Sequence, residues 1–256
     1  MFIGRELCLD ESLSKLERAY IWLLGVPING LRIRARRILP HISGKYKSIL
    51  DAGCGPGVFS FTLAKFLPQS AITGIDVDQN LLERNKTIAQ KSKLRNCSFI
   101  YQDINMMSFK EQYDLVLCVD NLEHIEDDQN ALKNFYNALQ YGGDLILHVP
   151  AYYRRWLFFR WAVNFDVDGH FRPGYTKEAL EEKIKLAGFT VKELYYTYGW
   201  LETVTNNISY LITGARMRRK HLYAFVFPVL NIISFLGRNS KPKRGAGVLV
   251  LARKES

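Results

Sequence analysis

Closely spaced cysteines are absent from this 256-residue sequence. The four cysteines are scattered, at Cys8, Cys54, Cys97 and Cys118. This spacing matches neither a zinc site nor a redox motif. A secretory signal is also lacking, because acidic residues follow the N-terminus before any apolar run develops. The two absences argue against a cysteine-built metal site and predict free thiols in a reducing cytoplasm.

Long uninterrupted apolar runs are absent as well. The longest candidate, residues 222–236, would reach only about 22 Å as a helix, short of the ~30 Å hydrocarbon core of a bilayer. It is interrupted by Pro228, Asn231 and Ser234. It follows a basic run that includes Arg216, Arg218, Arg219 and Lys220. We therefore expect no membrane span. Two alternatives stay open: the segment rests on a membrane with its basic residues at the headgroups, or it packs internally.

The chain carries a net charge of +10, and the excess is unevenly placed. Residues 1–46 contain eight Lys/Arg against four Asp/Glu, and residues 198–244 contain eight against one. The middle of the chain is almost neutral. Such flanking basic segments are typical of contact with nucleic acid, an anionic membrane or a phosphorylated substrate, or they serve solubility alone.

Short apolar strands alternate with helical stretches from residue 47 onward. Seven stretches are predicted to be strands, from "KSILDAG" to "GAGVLVLARK". Asp78 and Thr176 are predicted helix N-caps, and the glycines at 142 and 143 are predicted to end the helix "DDQNALKNFYNALQ". Strand–helix alternation predicts an α/β fold with a doubly wound, mostly parallel sheet.

Two segments fall outside this alternation. Residues 1–46 are predicted to form an N-terminal helical cap, with Leu31, Ala35, Ile38 and Leu39 near one helix face. Residues 198–244 separate the last two strands by far more than an ordinary loop. We expect one domain over 47–256, with acceptor-side segments at 151–175 and 198–244. The aromatic stretch "AYYRRWLFFRWAVNF" in the first of these is interpreted as core, as a membrane interface or as the lining of a lipophilic pocket.

Glycines and acids occur at the ends of the first three predicted strands. "DAGCGPG" runs from Asp51 to Gly57 and opens the first helix. Val58 and Pro56 do not fit a pyrophosphate cradle. Asp76 ends the second strand, where a carboxylate accepts hydrogen bonds from ribose hydroxyls, and Asp103 ends the third, where it accepts from an adenine amine. Val77 and Ile104 would flank the adenine ring.

Together these motifs resemble the class I S-adenosylmethionine-dependent methyltransferases. The resemblance covers residues 47–197 and the last strand, and it implies a seven-stranded Rossmann-like sheet with an antiparallel last strand. It implies that S-adenosylmethionine is the cofactor and S-adenosylhomocysteine the product. By this resemblance the residues near the methionine part are Gly53, Gly55, Gly57 and Asp51. Asp76 would then hold the ribose and Asp103 the adenine amine, and Asp120 is a further predicted cofactor contact.

The candidates for catalysis follow the fourth and fifth strands. His124 lies on the rim that would face the methyl group, where it is a candidate base, although such a histidine also commonly packs a loop. His170 precedes the helix that leads to the last two strands and would act as base, substrate anchor or loop tether. Asp120 is a third candidate.

The residues that follow the fourth strand also allow a metal-dependent variant of this chemistry. "DNLEH" gives Asp120, Glu123 and His124, which is similar to the Glu-x-x-Glu-His cluster of the ubiquinone-pathway O-methyltransferases. An oxygen-rich cluster would suit Mg²⁺. Because an aspartate replaces the first glutamate and shortens the reach, we expect no metal.

The resemblance and the apolar segments together predict transfer of a methyl group to a small lipophilic or lipid-linked acceptor. The expected location is the cytoplasm, including its membrane face. An RNA-directed methyltransferase and a non-catalytic S-adenosylmethionine-binding partner protein are the alternatives. The sequence "DNLEHI" argues against nucleic-acid amino-methylation, because that branch carries Asn/Asp-Pro-Pro-aromatic at this place.

Overall fold

The computed structural model describes residues 3–155, 161–164, 169–214 and 219–255. Arg216 and Arg218 of the basic run, and residues 156–160 and 165 of the aromatic stretch, lie outside the described residues. The strands are β1 (Ser48–Ala52), β2 (Ala71–Asp76), β3 (Cys97–Tyr101), β4 (Tyr113–Val119), β5 (Leu139–Pro150), β6 (Tyr153–Arg155), β7 (Trp161–Val163), β8 (Thr190–Thr197) and β9 (Gly247–Arg253). The helices are α1 (Lys15–Leu24), α2 (Asn29–Ile38), α3 (Val58–Phe66), α4 (Gln79–Lys91), α5 (Asp128–Ala138), α6 (Lys177–Leu186), α7 (Trp200–Thr213) and α8 (Lys220–Leu236).

Seven strands form one sheet in the order β3-β2-β1-β4-β5-β9-β8. Strands β1 to β5 pair in parallel, whereas β9 runs antiparallel to both β5 and β8. The predicted seven-stranded, mostly parallel sheet with an antiparallel last strand is thereby confirmed. A separate two-stranded hairpin, β6–β7, follows β5. None of the described helices is both long enough and apolar enough to cross a bilayer.

Both faces of the sheet are buried. Successive residues of a strand point to opposite faces, so Leu50 packs with α5 and α6 while Ile49 packs with α3 and the N-terminal helices. Asp78 and Thr176 accept backbone N–H groups at the starts of α4 and α6, as predicted. The sheet therefore brings the carboxyl ends of β1 to β5 to one edge, where ligands bind in open α/β folds.

The predicted end of α5 was wrong. The helix stops at Ala138, four residues before Gly142, and β5 begins at Leu139. Leu139 adopts extended backbone angles, is buried, and pairs with Tyr113 of β4. Burial of this leucine against the sheet ends the helix earlier than the glycine signal does.

The N-terminal helices expected in residues 1–46 are present and share one core with the sheet. Leu31, Ala35 and Ile38 of α2 are buried in that core, and Leu39 packs at its margin. The arginines of α2 are not a basic surface, contrary to the simplest interpretation of the charge pattern. Arg32 is 2% exposed and donates to the carbonyl oxygen of Val26 at 3.1 Å.

The segment between β8 and β9 forms the two helices α7 and α8, which pack on each other and on α2. Arg36 of α2 donates to the Ser234 hydroxyl at 2.8 Å. Arg37 donates to the Ser240 carbonyl at 2.7 Å and forms an ion pair with buried Glu202. Arginines of the N-terminal basic segment (1–46) therefore bond to residues of the late basic segment (198–244) in the interior.

Candidate functional site

The glycine loop after β1 turns sharply at the carboxyl edge of the sheet. Gly53, Gly55 and Gly57 all have positive φ angles, of 74°, 49° and 74°. The amides of Gly53 and Cys54 both donate to the Ile75 carbonyl at 2.9 Å, which fastens the loop to the end of β2. A side chain on Gly53 would place its Cβ 2.2 Å from the Asn121 amide, whereas a Cβ on Gly55 would meet open space. The loop thus presents bare backbone to a cavity.

Asp76 and Asp103 lie beside this loop, at the ends of β2 and β3. One carboxylate oxygen of Asp76 accepts the Gly55 amide at 2.8 Å, and the other accepts the Asp78 amide at 3.0 Å. Asp103 accepts the Asn105 amide at 2.8 Å and begins a short 3-10 turn. Each acid therefore has a structural partner and still lines a cavity. Val77 is exposed and Ile104 is buried at the same edge.

Two adjoining cavities occupy the carboxyl edge. One, of about 320 Å³, is lined by Asp76, Val77, Asp103 and Ile104 among others. The other, of about 290 Å³, is lined by the glycine loop together with Asp51 and Asp120. Gly53, Asp76, Asn121 and His124 border both cavities. The predicted adenosine contacts and all the predicted methionine contacts except Gly57 thus line two adjoining cavities. Gly57 lines neither cavity, because it packs against Phe61 and Asn85.

Asp51 lies beneath the glycine loop and is 3% exposed. The Ser60 hydroxyl donates to its carboxylate at 2.5 Å. Burial raises the pKa of Asp51 to about 6, although the Ser60 hydrogen bond opposes the rise. A cation bound near this carboxyl would lower its pKa and favour the charged form.

Asp120 has a positive φ of 47°, and its carboxylate contacts the side chains of one arginine and one histidine. Arg34 of α2 contacts one carboxylate oxygen at 2.8 Å, and the His148 Nδ1 contacts the other at 2.6 Å. The His148 Nε2 in turn lies 2.9 Å from the Thr197 hydroxyl. Burial raises the pKa of Asp120, but Arg34 and His148 outweigh it and hold the pKa below its ordinary value. A carboxylate held in this way is poorly suited to act as a base, and the catalytic role of Asp120 stays a prediction.

His124 and His170 meet at the rim of the site. Their rings are 4.3 Å apart between centroids and nearly perpendicular. The His124 Nδ1 lies 2.9 Å from the Gly169 carbonyl oxygen. A carbonyl oxygen only accepts, so Nδ1 carries the proton and Nε2 has the lone pair in the neutral ring. The geometry leaves His124 ready to accept a proton at Nε2.

The potential metal donors differ from those that the sequence suggested. Glu123, His124 and His170 have donor atoms within 4.8 Å of one another, and Asp120 is not in this group. Burial, reinforced by Asp120, raises the pKa of Glu123 well above its ordinary value. Two imidazoles and a single carboxyl do not match the set of oxygen ligands that Mg²⁺ prefers. The expectation of no metal stays a prediction.

Sequence reasoning missed three residues of the site. Asn121 borders both cavities and contacts Gly53, Arg34 reaches the site from α2, and His148 reaches it from inside β5. Asn121 lies beside the predicted Asp120, which is a usable signal. Arg34 and His148 come from a helix and a strand whose patterns indicate only packing, so no local signal identifies them.

Comparison with known proteins agrees with this geometry. A family model described as "Methyltransferase domain" matches residues 43–197. The chain belongs to that family. The predicted family, its fold and its S-adenosylmethionine cofactor are confirmed. The site fits that cofactor, since the glycine loop presents bare backbone at Gly55 and the acids predicted to hold the cofactor line the same cavities.

A ubiquinone biosynthesis O-methyltransferase of Coxiella burnetii is 34% identical over 44% of this chain and 47% of its own length. The chain thus spans about half the length of the curated relatives it matches. Among solved structures, the O-methyltransferase of a trans-AT polyketide synthase from Brevibacillus brevis, in complex with S-adenosylhomocysteine, has a TM-score of 0.59 and 15% identity. That comparison covers 100% of this chain and 80% of the other. The [4+2]-cyclase SpnF has a TM-score of 0.61 at 17% identity, covering 89% of this chain and 81% of the cyclase. At these identities the structures show the fold alone.

Proposed function

We propose that this protein transfers a methyl group from S-adenosylmethionine to an oxygen of a small lipophilic or lipid-linked acceptor. The observation that carries the proposal is His124, which borders both cofactor cavities and holds its Nδ1 proton against the Gly169 carbonyl. The similarity to the ubiquinone biosynthesis O-methyltransferase supports oxygen as the acceptor atom.

S-adenosylmethionine, when bound, supplies a methyl group already activated on a sulfonium. The protein then has to position the acceptor and remove its proton. His124 would take the hydroxyl proton at Nε2, while Gly169 fixes the ring through Nδ1. His170, in edge-to-face contact, limits rotation of the His124 ring. Asp120, Arg34 and His148 keep the floor of the site in one arrangement.

The acceptor would bind among the segments that follow β5 and β8. A cavity of about 620 Å³, within the range of ligand sites, lies between the β6–β7 hairpin, the start of α6 and residues 243–245. Its walls include Tyr152, Trp161 and Tyr196 with the basic residues Lys177, Lys243 and Arg244. Aromatic walls with cationic groups at the rim suit a lipophilic molecule that carries an anionic or hydroxylated head.

The interior position of the α2 arginines weighs against the RNA-directed alternative. Arg32 and Arg37 are buried, and Arg34 and Arg36 are bound by Asp120 and by residues of α8. These four charges are therefore not displayed as a phosphate-binding surface. The acceptor-side cavity is lined by other basic residues, so the lipophilic-acceptor proposal does not depend on the α2 arginines.

Methyl-group transfer from labelled S-adenosylmethionine to fractionated small molecules and lipids tests the proposal. We expect label in the lipophilic fraction, and a loss of about 100-fold or more in His124→Gln, because a positioned base contributes at least that much. Cofactor affinity should fall much less than the rate of methyl transfer in this variant. His41→Gln is the matched control, since His41 contacts Tyr195 instead. Label only in RNA, no label in any fraction, or full activity in His124→Gln would contradict the proposal.

A further inference from the structure

Helix α8 is apolar on two opposite faces. One face is buried against the cap and α7 through Tyr223, Phe227 and Leu230. The opposite face is exposed to solvent along its length. Its residues and their exposed fractions are Leu222 (48%), Phe225 (83%), Val229 (57%), Ile232 (62%) and Leu236 (67%).

These five residues recur every three or four positions, so they form one continuous stripe on the outer side of the helix. Every exposed residue of α8 from Leu222 to Leu236 is apolar. A surface helix of a soluble domain normally carries polar residues on its outer face. A contiguous apolar stripe on the outer face of a helix indicates an interaction surface that another apolar surface covers.

The apolar surface extends onto α1. The Tyr20 hydroxyl donates to the Ala224 carbonyl at 2.7 Å, and Lys220 forms an ion pair with Glu17 at 3.0 Å. These contacts fix α1 alongside the start of α8. Leu16 and Leu23, one turn to either side of Tyr20, are exposed by 73% and 57%.

Basic residues stand at both ends of the stripe. Arg219 and Lys220 begin α8, and Arg238 follows it with its guanidinium 3.9 Å from the Phe235 ring centroid. A helix of 17 residues is about 25 Å long, so the cations lie at both ends of the apolar patch. This arrangement is typical of a helix that lies in the plane of an anionic bilayer, with its cations at headgroup level.

We propose that the α8 stripe, with Leu16 and Leu23 of α1, docks the protein onto an anionic phospholipid surface with α8 parallel to the membrane. A second copy of the chain fits the stripe less well. Both ends of the stripe are basic, so pairing the helices in either direction brings like charges together. A bilayer that contains anionic lipid complements the apolar middle and both ends at once.

This inference goes beyond the proposed function, because it concerns the surface on which the protein works and not the reaction. Helix α7, which packs on α8, is linked to the β6 strand by the side chains of Arg154 and Asn207, with nitrogen to oxygen at 2.6 Å. The membrane face and the acceptor-side cavity therefore belong to one connected region, which suits an acceptor taken from the bilayer.

Co-sedimentation with vesicles tests the docking surface in the absence of cofactor and acceptor. Vesicles of phosphatidylcholine alone and of phosphatidylcholine mixed equally with phosphatidylglycerol are the probes. We expect the wild type to bind the anionic vesicles. The variant Phe225→Glu/Ile232→Glu should partition at least about tenfold more weakly, because each change replaces an inserted apolar side chain by a carboxylate that the anionic lipid repels. Leu186→Glu is the matched control, because Leu186 is 69% exposed on α6, away from the stripe.

Equal binding of the double variant and the wild type would overturn the proposal, as would no binding of the wild type to anionic vesicles. A wild-type dimer in solution that Phe225→Glu/Ile232→Glu converts to a monomer would also overturn it, in favour of a second copy. Circular dichroism and cofactor titration show whether the variant is folded. Because vesicle binding is measured without methyl transfer, its failure is distinguishable from failure of the proposed reaction.

Discussion

At the scale of single residues, the buried carboxyl of Asp51 lowers the free energy of unfolding of the cofactor-free protein at neutral pH. Its carboxyl is buried beneath the glycine loop, and burial raises its pKa from the ordinary 3.8 to about 6. Between these two pH values the folded protein keeps a proton that the unfolded chain has released. The free energy of unfolding therefore falls as the pH rises from about 4 to about 6.

The change Asp51→Asn should remove this penalty. A shift of about two pKa units corresponds to roughly 3 kcal/mol, so the variant should be more stable than the wild type at pH 7 by up to that amount. Below pH 4 the two proteins should differ little through this group. Urea unfolding at a series of pH values measures the difference.

Ser60→Ala provides the matched comparison. The Ser60 hydroxyl stabilises the charged form of Asp51, so its loss should raise the pKa of Asp51 further and extend the fall in stability to higher pH. If wild type and Asp51→Asn gave parallel stability curves between pH 4 and pH 7, Asp51 would not be the titrating group.

At the scale of elements, the ion pair between Arg37 and Glu202 joins α2 to α7. The Arg37 side chain is 7% exposed and that of Glu202 is fully buried. Arg37 also donates to the Gly237 carbonyl at 3.2 Å, just after α8. One arginine thus holds the N-terminal segment to both helices of the late segment.

The substitution Arg37→Met should destabilise the fold by about 3–5 kcal/mol, because it leaves the buried Glu202 carboxylate without its counter-charge. Arg37→Met/Glu202→Leu should recover much of that loss, since both charges are then gone. Chemical denaturation of the two single variants and the double variant gives the coupling free energy.

Lys185→Met is the control for this cycle. Lys185 pairs with Glu181 at 2.6 Å on the exposed side of α6, where solvent screens the pair, so its loss should have little effect. A cost for Arg37→Met as small as that of Lys185→Met would show that the buried pair does not hold the elements together.

At the scale of the whole molecule, local patterns predicted the sheet and the cofactor edge. The apolar strands, the glycine loop and the acids Asp76 and Asp103 are contiguous signals, and each maps to the end of one strand. Burial of Arg32 and Arg37, and the contact of His148 with Asp120, depend on elements far apart in the chain. A basic run has the same sequence pattern whether its side chains face water or donate to buried acceptors. Tertiary packing therefore determines the burial of the arginines and the contact of His148 with Asp120.

We expect the edge formed by the glycine loop and Asp76 to bind S-adenosylmethionine and its product. Titration calorimetry with S-adenosylhomocysteine tests it most directly, with wild type, Asp76→Ala and Leu186→Ala as the exposed control. One binding site is expected in the wild type and in the control, and at least about tenfold weaker binding in Asp76→Ala, which loses a charged acceptor of ribose hydroxyls. No binding by the wild type, or the same affinity in Asp76→Ala, would contradict it.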